Sequence, residues 1–413
     1  MSYKILAINP GSTSTKIAVY EDDNIVFTSS IAHKSSELAP FNTVADQYEF
    51  RKDLVIKTLA EKGVDVKSLD AVIGRGGLIY PVEGGVYEVN DDLRHDLIHA
   101  TKQHASNLGG LIARDIADQI GVPSFIADPV VVDEMIPYAR ISGLPEIPKE
   151  SIFHALNIKA IARRYAREIG ADYESLNLVV CHLGGGISVT AHRRGRVIDT
   201  TNALNGCGPL SPERAGSLPP GPLVEMCYSG KYTLEEMKKK LTGQGGLYAH
   251  LGTTSVIEAL ERVDNGDLHA MLILRAMCYN VAKEIGAMAT ALKGDIDAIL
   301  ITGGMAHSKR LTDFIAGHVD YIAPIYVYPG ENELEALASN ALAVLKGERQ
   351  ALVYERQEAD DPAQINNDSK PSRLREWLRG AGKAGFGPKR QLSAMRQYIR
   401  KWRNPKQSRD NND

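Results

Sequence analysis

Asn9-Pro10-Gly11-Ser12-Thr13-Ser14-Thr15-Lys16 places an amide, a glycine, a run of hydroxyls and a lysine in one short stretch. Gly11 lets the backbone come close to a ligand, and the hydroxyls, amides and Lys16 form a donor inventory that suits phosphate oxygens. A polar hairpin tip would use the same residues. A second glycine stretch, His182-Leu183-Gly184-Gly185-Gly186, lies about 170 residues further on. Neither is the Gly-x-x-x-x-Gly-Lys-Ser/Thr loop, because Lys16 follows Thr15 and not a glycine, so a P-loop site is disfavoured. Two facing hairpin loops would make a different phosphate clamp.

The elements that must carry these loops are strands. Ile5 to Ile8 is an apolar run of buried-strand type, Asn9-Pro10-Gly11 interrupts it, and Lys16 to Tyr20 resumes with β-branched residues. Val179 to Cys181 and Ile187 to Thr190 repeat the pattern around the second loop. Each copy is followed by a polar turn, Glu21-Asp22-Asp23-Asn24 and Arg193-Arg194-Gly195-Arg196, so duplication of one unit is the simplest account. Between and after the copies, strands alternate with helices as in an α/β architecture. Helices are expected at 53–62, 92–120 (one or two), 150–169, 234–241, 268–292 and 332–346. Short buried strands are expected at 71–73, 124–127 and 298–302, the last ending in Gly303-Gly304.

A chain of 413 residues, 43% hydrophobic and 24% charged, has the composition of a globular protein of about two domains. Cys181, Cys207, Cys227 and Cys278 are scattered without a Cys-x-x-Cys pair, as expected of reduced thiols in a cytoplasmic protein. No export signal or membrane span is expected, since the most apolar helix is interrupted by Arg275, Lys283 and Glu284. Charge is uneven: residues 355–413 carry 14 Lys/Arg against 8 Asp/Glu, so a basic tail follows an acidic body and a boundary is placed near Tyr354. Within the tail, Leu392, Met395, Ile399 and Trp402 recur at helical spacing among basic residues, compatible with a short amphipathic helix or a solvated extension.

The first hairpin resembles the signature of the acetate kinase (acetokinase) family, in which Asn, Gly-Ser, two hydroxyl residues and Lys recur at the spacing seen from Asn9 to Lys16. His182 to Gly186 resembles the second phosphate loop of the actin-like ATPase superfamily, and Ile301-Thr302-Gly303-Gly304-Met305 resembles its adenosine loop. Within the family the chain is most similar to butyrate kinases, through Gly74-Arg75-Gly76-Gly77 and Glu331-Asn332-Glu333-Leu334-Glu335-Ala336-Leu337. The similarity covers residues 1–354.

This resemblance implies an α/β fold of two RNase H-like, actin-like ATPase domains, 1–150 and 151–331, with the active site in the cleft between them. It further implies a closing helix near 332–347 that packs back on the first domain, and a basic C-terminal extension at 355–413. The implied activity is reversible transfer of the γ-phosphoryl group of ATP to butanoate, giving butanoyl phosphate and ADP with Mg2+ as cofactor. Acetate, propionate or a branched acid are alternative acceptors. A sugar kinase, an actin-like ATPase or a nucleotide-binding regulator is the more distant alternative. A homodimer or higher homo-oligomer is expected, with neither nucleic acid nor membrane needed for activity.

Such a reaction brings an anionic carboxylate against an anionic phosphoryl group and therefore requires fixed positive groups. Arg75 and Arg214, both in glycine-flanked loop contexts, are the candidates, because guanidinium forks match carboxylate and phosphate oxygens. By the resemblance, His154 hydrogen-bonds the transferring phosphoryl group, Asp128 lies near the reacting groups, and Glu331 or Glu333 serves Mg2+. Nucleotide would be held by Asn9, Gly11, Ser12, Thr13, Ser14 and Lys16, by His182, Gly184, Gly185 and Gly186, and by Gly303, Gly304 and Met305. Each has a plainer reading: His154 as a structural helix histidine, Asp128 as a turn cap before Pro129, and the glutamates as an acidic first turn of a helix. A carboxylate acceptor is already ionised at neutral pH, so no general base is demanded.

Overall fold

The computed structural model describes residues 2–100, 104–204 and 206–356, and the basic tail with its Leu392 to Trp402 pattern lies outside them. Two sheets organise the described chain. In the first, β1 (Lys4–Pro10), β2 (Ser14–Glu21), β3 (Asn24–Ala32), β4 (Ala71–Arg75), β5 (Val86–Glu88) and β6 (Ser124–Ala127) are ordered β3-β2-β1-β4-β6-β5. In the second, β7 (Asn177–Leu183), β8 (Ile187–Arg193), β9 (Arg196–Thr200), β10 (Ala298–Gly303) and β11 (Ile325–Pro329) are ordered β11-β10-β7-β8-β9.

The two sheets repeat one design. An antiparallel triplet, β1-β2-β3 or β7-β8-β9, is extended by parallel strands, β4 then β6 in one and β10 then β11 in the other. Lys4 faces Glu21 across the first hairpin as Asn177 faces Arg193 across the second. The register irregularity falls between Val19 and Tyr20 in one copy and between Ala191 and His192 in the other, the same place in each hairpin. Even the turns correspond, with Asp22 at φ 50° and Arg194 at φ 51°. Gene duplication accounts for all of these at once.

Period-two alternation then decides which face each side chain enters. Leu6 and Ile8 pack on one side of the first sheet and Ile5 and Ala7 on the other; Val179 and Cys181 oppose Leu178 and Val180 in the second. Both central strands are covered on both faces, which is why they read as unbroken apolar runs. The first half carries α1 (Ser35–Leu38), α2 (Tyr48–Glu61), α3 (Asp91–His99) and α4 (Asn107–Ile120). After α5 (Ala155–Glu168), the second half carries α6 (Pro220–Tyr228), α7 (Leu234–Thr242), α8 (Gly246–Leu251), α9 (Val256–Asp264), α10 (Leu268–Ala291) and α11 (Lys309–Val319). The last helix, α12 (Glu333–Leu345), returns to the first sheet, where Leu337 and Ala341 pack with Ile5, Ala7 and Ala18.

Helix α5 serves both sheets. Leu156 belongs to the core beneath the first, while Ile158, Ala162 and Tyr165 pack with Leu178, Val180 and Leu300 of the second. It begins at Ala155 and not at Glu150 as its sequence pattern indicates. The reason is anchoring upstream: Phe153 is fully buried, Ser151 Oγ donates to the Val132 carbonyl, and the His154 N–H donates to Ser188 Oγ. These contacts hold the segment before the helix in a non-helical path. Helix α2, conversely, starts at Tyr48, five residues before its expected start. Among the described residues no helix is long and apolar enough to cross a membrane, and all four cysteines are unpaired.

Candidate active site

The ends of β1, β4 and β7 converge with the start of α12, and the side chains at those ends form one polar cluster. Arg75 occupies the last position of β4, beside β1 in the parallel pair. The glycines around it have a steric cause. A Cβ on Gly74 would stand 2.0 Å from the Gly109 carbonyl oxygen, and one on Gly77 2.6 Å from Asn107 Cα, so α4 sits directly on this backbone. Arg75 is the one long side chain of the stretch. Its guanidinium grips Glu333 with Nη1 on Oε2 and Nη2 on Oε1, each at 3.1 Å, and Nη1 also donates to Asn9 Oδ1 at 3.3 Å. Asn9 Nδ2 in turn donates to Glu333 Oε2 at 2.6 Å.

A second set lies on the β7–β8 side. The ring of His182, buried at the end of β7, meets Asn157 Oδ1 through Nδ1 at 2.9 Å and Glu331 Oε1 through Nε2 at 3.2 Å. His154, the N-cap of α5, stacks on it with ring centres 3.9 Å apart and meets Ser188 Oγ through Nδ1 at 2.8 Å. Burial drives the His154 imidazole well below its usual pKa, helped by the neighbouring charges of His182, Arg214 and Arg75. His154 is therefore a neutral ring at physiological pH. The hydrogen bond from His182 is the main influence that holds the Glu331 carboxylate below its ordinary range, with further help from Arg75 and Lys16.

Arg214 reaches the same space from the loop after β9. Its Nη1 would lie 3.0 Å from a Cβ at Gly186, and its buried Nε has no hydrogen-bond partner among the described residues. Burial lowers its pKa, opposed by Glu213, yet a guanidinium remains charged. Ser211 Oγ fixes the loops to each other by donating to the Gly185 carbonyl at 2.6 Å. Gly303 ends β10 at φ 96°, and a Cβ there would strike the Leu183 carbonyl oxygen at 2.4 Å, so glycine is obligatory where β10 passes the second loop. The Cα of Gly304 faces open space, whereas the side chain of Met305 is turned into the core of the second half.

The structure thus gathers Asn9, Arg75, His154, His182, Gly186, Arg214, Glu331 and Glu333, with Lys16 close enough to act on Glu331. Gly11 to Ser14 form the adjoining β1–β2 loop. Asp128 does not join by any contact among the described residues. It is buried at φ 37° and its Oδ2 pairs with Arg163 Nη1 at 2.7 Å. Burial alone would raise its pKa, but Arg163 and Lys159 bring it below the usual value. Three participants escape a motif-based reading. His104, near the start of α4, meets Ser106 Oγ through Nδ1 at 2.8 Å, and its pKa is lowered by burial first and then by the charges of Arg75 and Arg214. Asn157 and Ser188 orient the two stacked imidazoles. Asn157 had a usable signal, one helical turn beyond His154 on the same face.

Chemically, the cluster offers two guanidinium groups, a neutral imidazole donor and two glycine loops around one space, with glutamate oxygens at its edge. Residues 149–323 match the profile of the acetokinase family. Over 355 residues, covering 86% of this chain and all of the relative, the sequence is 51% identical to butyrate kinase 2 of Clostridium acetobutylicum. It is 54% identical to a probable butyrate kinase of Bacteroides thetaiotaomicron over 352 residues, 85% of this chain and 99% of the relative. Among solved structures, acetate kinase of Porphyromonas gingivalis superposes with a TM-score of 0.68 at 17% identity, covering 83% of this chain and all of the other. A propionate kinase of Francisella tularensis gives 0.63 at 18% identity over 82% and 98% of the two chains. The fold is that of the two-domain actin-like ATPases, and the chain belongs to the acetokinase family.

Proposed function

We infer that this chain is a butyrate kinase, transferring the terminal phosphoryl group of ATP to the carboxylate of butanoate and, in reverse, from butanoyl phosphate to ADP. What carries the reading is the convergence of Arg75, Arg214 and neutral His154 on one space, together with identity above 50% to proteins named butyrate kinase over their full length. The acceptor is an anion at neutral pH and attacks phosphorus without losing a proton. Catalysis then reduces to positioning and to stabilising charge on the equatorial oxygens of the in-line transition state. Arg214 and Arg75 supply fixed charge. His154, with Nδ1 engaged by Ser188, offers Nε2–H to a phosphoryl oxygen as an uncharged donor.

Nucleotide lies in this reading across Asn9, the loop 11–14 and Lys16, the loop 184–186, and the backbone at Gly303 and Gly304. Glu331 or Glu333 would supply the carboxylate for Mg2+, although in this structure both Glu333 oxygens are held by Arg75 and Glu331 Oε1 is held by His182. These are hard oxygen donors, and no cluster of three His, Cys, Asp or Glu side chains able to hold a metal occurs among the described residues. Mg2+ commonly takes one or two carboxylates and completes its shell with phosphate oxygens and water. When bound, the ion would neutralise phosphate charge, and Glu331 or Glu333 would hold it in place. Asp128 holds Arg163 through Oδ2 and keeps a buried Oδ1 without a hydrogen-bond partner among the described residues, and its place near the reacting groups belongs to the same reading.

The lobes are taken as 1–150 and 151–331, with the helix from Glu333 to Leu345 belonging to the first. A homodimer or higher oligomer is part of the reading, supported by Leu268, Leu272 and Tyr279, which stand exposed on one face of α10. Four free thiols fit a cytoplasmic enzyme. The deciding experiment traps acyl phosphate as hydroxamate from ATP, Mg2+ and each straight or branched acid from two to six carbons. Greatest kcat/KM with butanoate supports the reading; a maximum at acetate or propionate would move the acceptor, and no product with any acid would end it.

A further inference from the structure

Behind the β1–β2 loop lies a charged side chain that the reaction does not touch. Arg51 of α2 is 1% exposed. Its Nη1 donates to the Gly11 carbonyl at 2.7 Å and to Thr15 Oγ1 at 3.3 Å, and its Nη2 to the Ser12 carbonyl at 3.3 Å. Gln47 Oε1 receives Nη2 at 2.8 Å and Nε at 3.2 Å. Among the described residues no carboxylate pairs with it, and burial alone lowers its pKa. A buried guanidinium held only by neutral oxygens is a costly arrangement that a mere space-filling role would not require.

The effect on the loop is one-sided. All four carbonyls from Gly11 to Ser14 are occupied: the first two by Arg51, Thr13 O by the His33 N–H at 2.9 Å, and Ser14 O by the Gly11 N–H at 2.7 Å. The N–H groups of Ser12 and Thr13, and the hydroxyls of Ser12, Thr13 and Ser14, donate to nothing among the described residues. Ser12 and Thr13 are also exposed. With its acceptors tied back and its donors free, the loop offers hydrogen-bond donors to whatever approaches, which is the polarity of an anion-binding nest.

We propose that Arg51 is the positioning residue of the first phosphate loop. By capturing the carbonyls of Gly11 and Ser12 it turns the donors of residues 12–14 toward the terminal phosphates of the nucleotide, and it places an uncompensated positive charge behind them. The proposal rests on the reading that this loop holds phosphate. It separates Arg51 from the residues that touch substrate, because its fork is spent entirely on protein oxygens.

The test uses the full chain and three variants, Arg51→Met, Arg51→Lys and Gln47→Leu. Calorimetry measures ATP, which engages the loop, and adenosine, which has no phosphate; a thermal melt confirms folding. Arg51→Met should weaken ATP roughly 10- to 100-fold, the range expected for charge-assisted hydrogen bonds, and leave adenosine within about twofold. Arg51→Lys keeps the charge but not the fork and should fall between Met and wild type. Gln47→Leu, at a half-buried position, should weaken ATP several-fold in the same direction. If Arg51→Met does not fold, the other two variants decide. Unchanged ATP affinity in the folded variants, or equal weakening of ATP and adenosine, would overturn the proposal. A wild-type chain that forms no acyl phosphate would overturn the kinase reading alone, since these affinities are measured without turnover.

Discussion

The imidazoles of His154 and His182 lie face to face, 3.9 Å between centres and 13° between planes, and among the described residues only His182 of the two has a carboxylate at hand, Glu331 at 3.2 Å. Two stacked cations would repel at this distance, and burial further disfavours charge on His154. The pair therefore separates roles: His182 couples the second loop to Glu331, and His154 stays a neutral donor. Replacing His154 by Ala should lower kcat by about 10²- to 10³-fold, the usual loss of one preorganised donor to a developing charge, with little change in the KM for ATP. Steady-state hydroxamate kinetics checks this, and a loss confined to KM would remove His154 from the transition state.

Arg214 differs from Arg75 in having no carboxylate within ion-pair distance among the described residues, while its Nε remains buried and unpartnered. In the proposed reaction such a guanidinium would meet charge that arrives with substrate. Arg214→Ala should reduce turnover by several orders of magnitude and leave ATP affinity close to that of the wild type, because the lost interaction acts on charge developed in transfer. Turnover near the wild-type level would place Arg214 outside the site.

Much of this arrangement was legible in the sequence because it is local. The two hairpins, their polar turns and the strand ending at Gly303 each announce themselves by apolar runs broken at glycine, and α10 by its length. The contacts that make the site are not local. Glu333 meets Asn9 and Arg75 only because α12 returns to the first sheet after the second is complete. His104 gives no signal of its own, since it owes its place to α4 packing on the glycines around Arg75. Asp128 illustrates the converse: an acidic residue at a strand end looks available in sequence, but α5 brings Arg163 against it. Arg51 lies before the helix expected at 53–62 and becomes visible as a support only because α2 starts at Tyr48 and brings its guanidinium against Gly11 and Ser12.

Acid should destabilise the fold through buried neutral histidines. His192 is enclosed between Tyr173 Oη at 2.7 Å and Thr190 Oγ1 at 2.8 Å, and burial first, then Lys159 and Arg163, depress its pKa well below normal, as happens for His154. In the unfolded chain both titrate near 6.5. The unfolded state therefore binds more protons just below that pH, so the stabilisation is complete above about 6.5 and declines as pH falls toward the folded values. Each ring contributes up to about 1.4 kcal/mol per pH unit in that window. Tm should fall between roughly pH 6.5 and 5, and His192→Gln should flatten the slope. A slope unchanged by that substitution would assign the acid sensitivity elsewhere.

Lys159 of α5 and Glu134 form an ion pair at 3.0 Å with side chains only 2% and 4% exposed. Glu134 also accepts the N–H groups of Gly84 and Val197, and Lys159 donates to the Gly195 carbonyl, so the pair joins the first half to the hairpin of the second. Removing one partner strands a buried charge. Lys159→Met should cost about 3–5 kcal/mol of stability, and Glu134→Leu a similar amount, while the double substitution should cost less than the sum. Denaturant unfolding of the four forms measures the coupling; strictly additive losses would mean that the two charges act independently.

The body of the fold extends a little past the boundary placed at Tyr354. Leu352 bridges to Tyr87, the ring of Tyr354 is buried with its hydroxyl donating to Asp96 at 2.7 Å, and Asn90 Nδ2 donates to the Tyr354 carbonyl at 2.7 Å. The Arg356 N–H still reaches Asp92 at 3.3 Å. Every residue of the polar cluster precedes these anchors, and the relatives at 51–54% identity are matched over essentially their whole length by only about 85% of this chain. Two truncations should therefore behave differently. Ending the chain after Arg356 should leave kcat for acyl phosphate formation within about threefold, a barrier change below about 1 kcal/mol. Ending it before Leu352 should lower Tm by several degrees, because Asp96 Oδ2 and Asn90 Nδ2 each lose the hydrogen bond to Tyr354 and the pocket of the Tyr354 ring is left unfilled. A large loss of kcat in a folded chain ending at Arg356 would show that residues beyond it belong to the active enzyme.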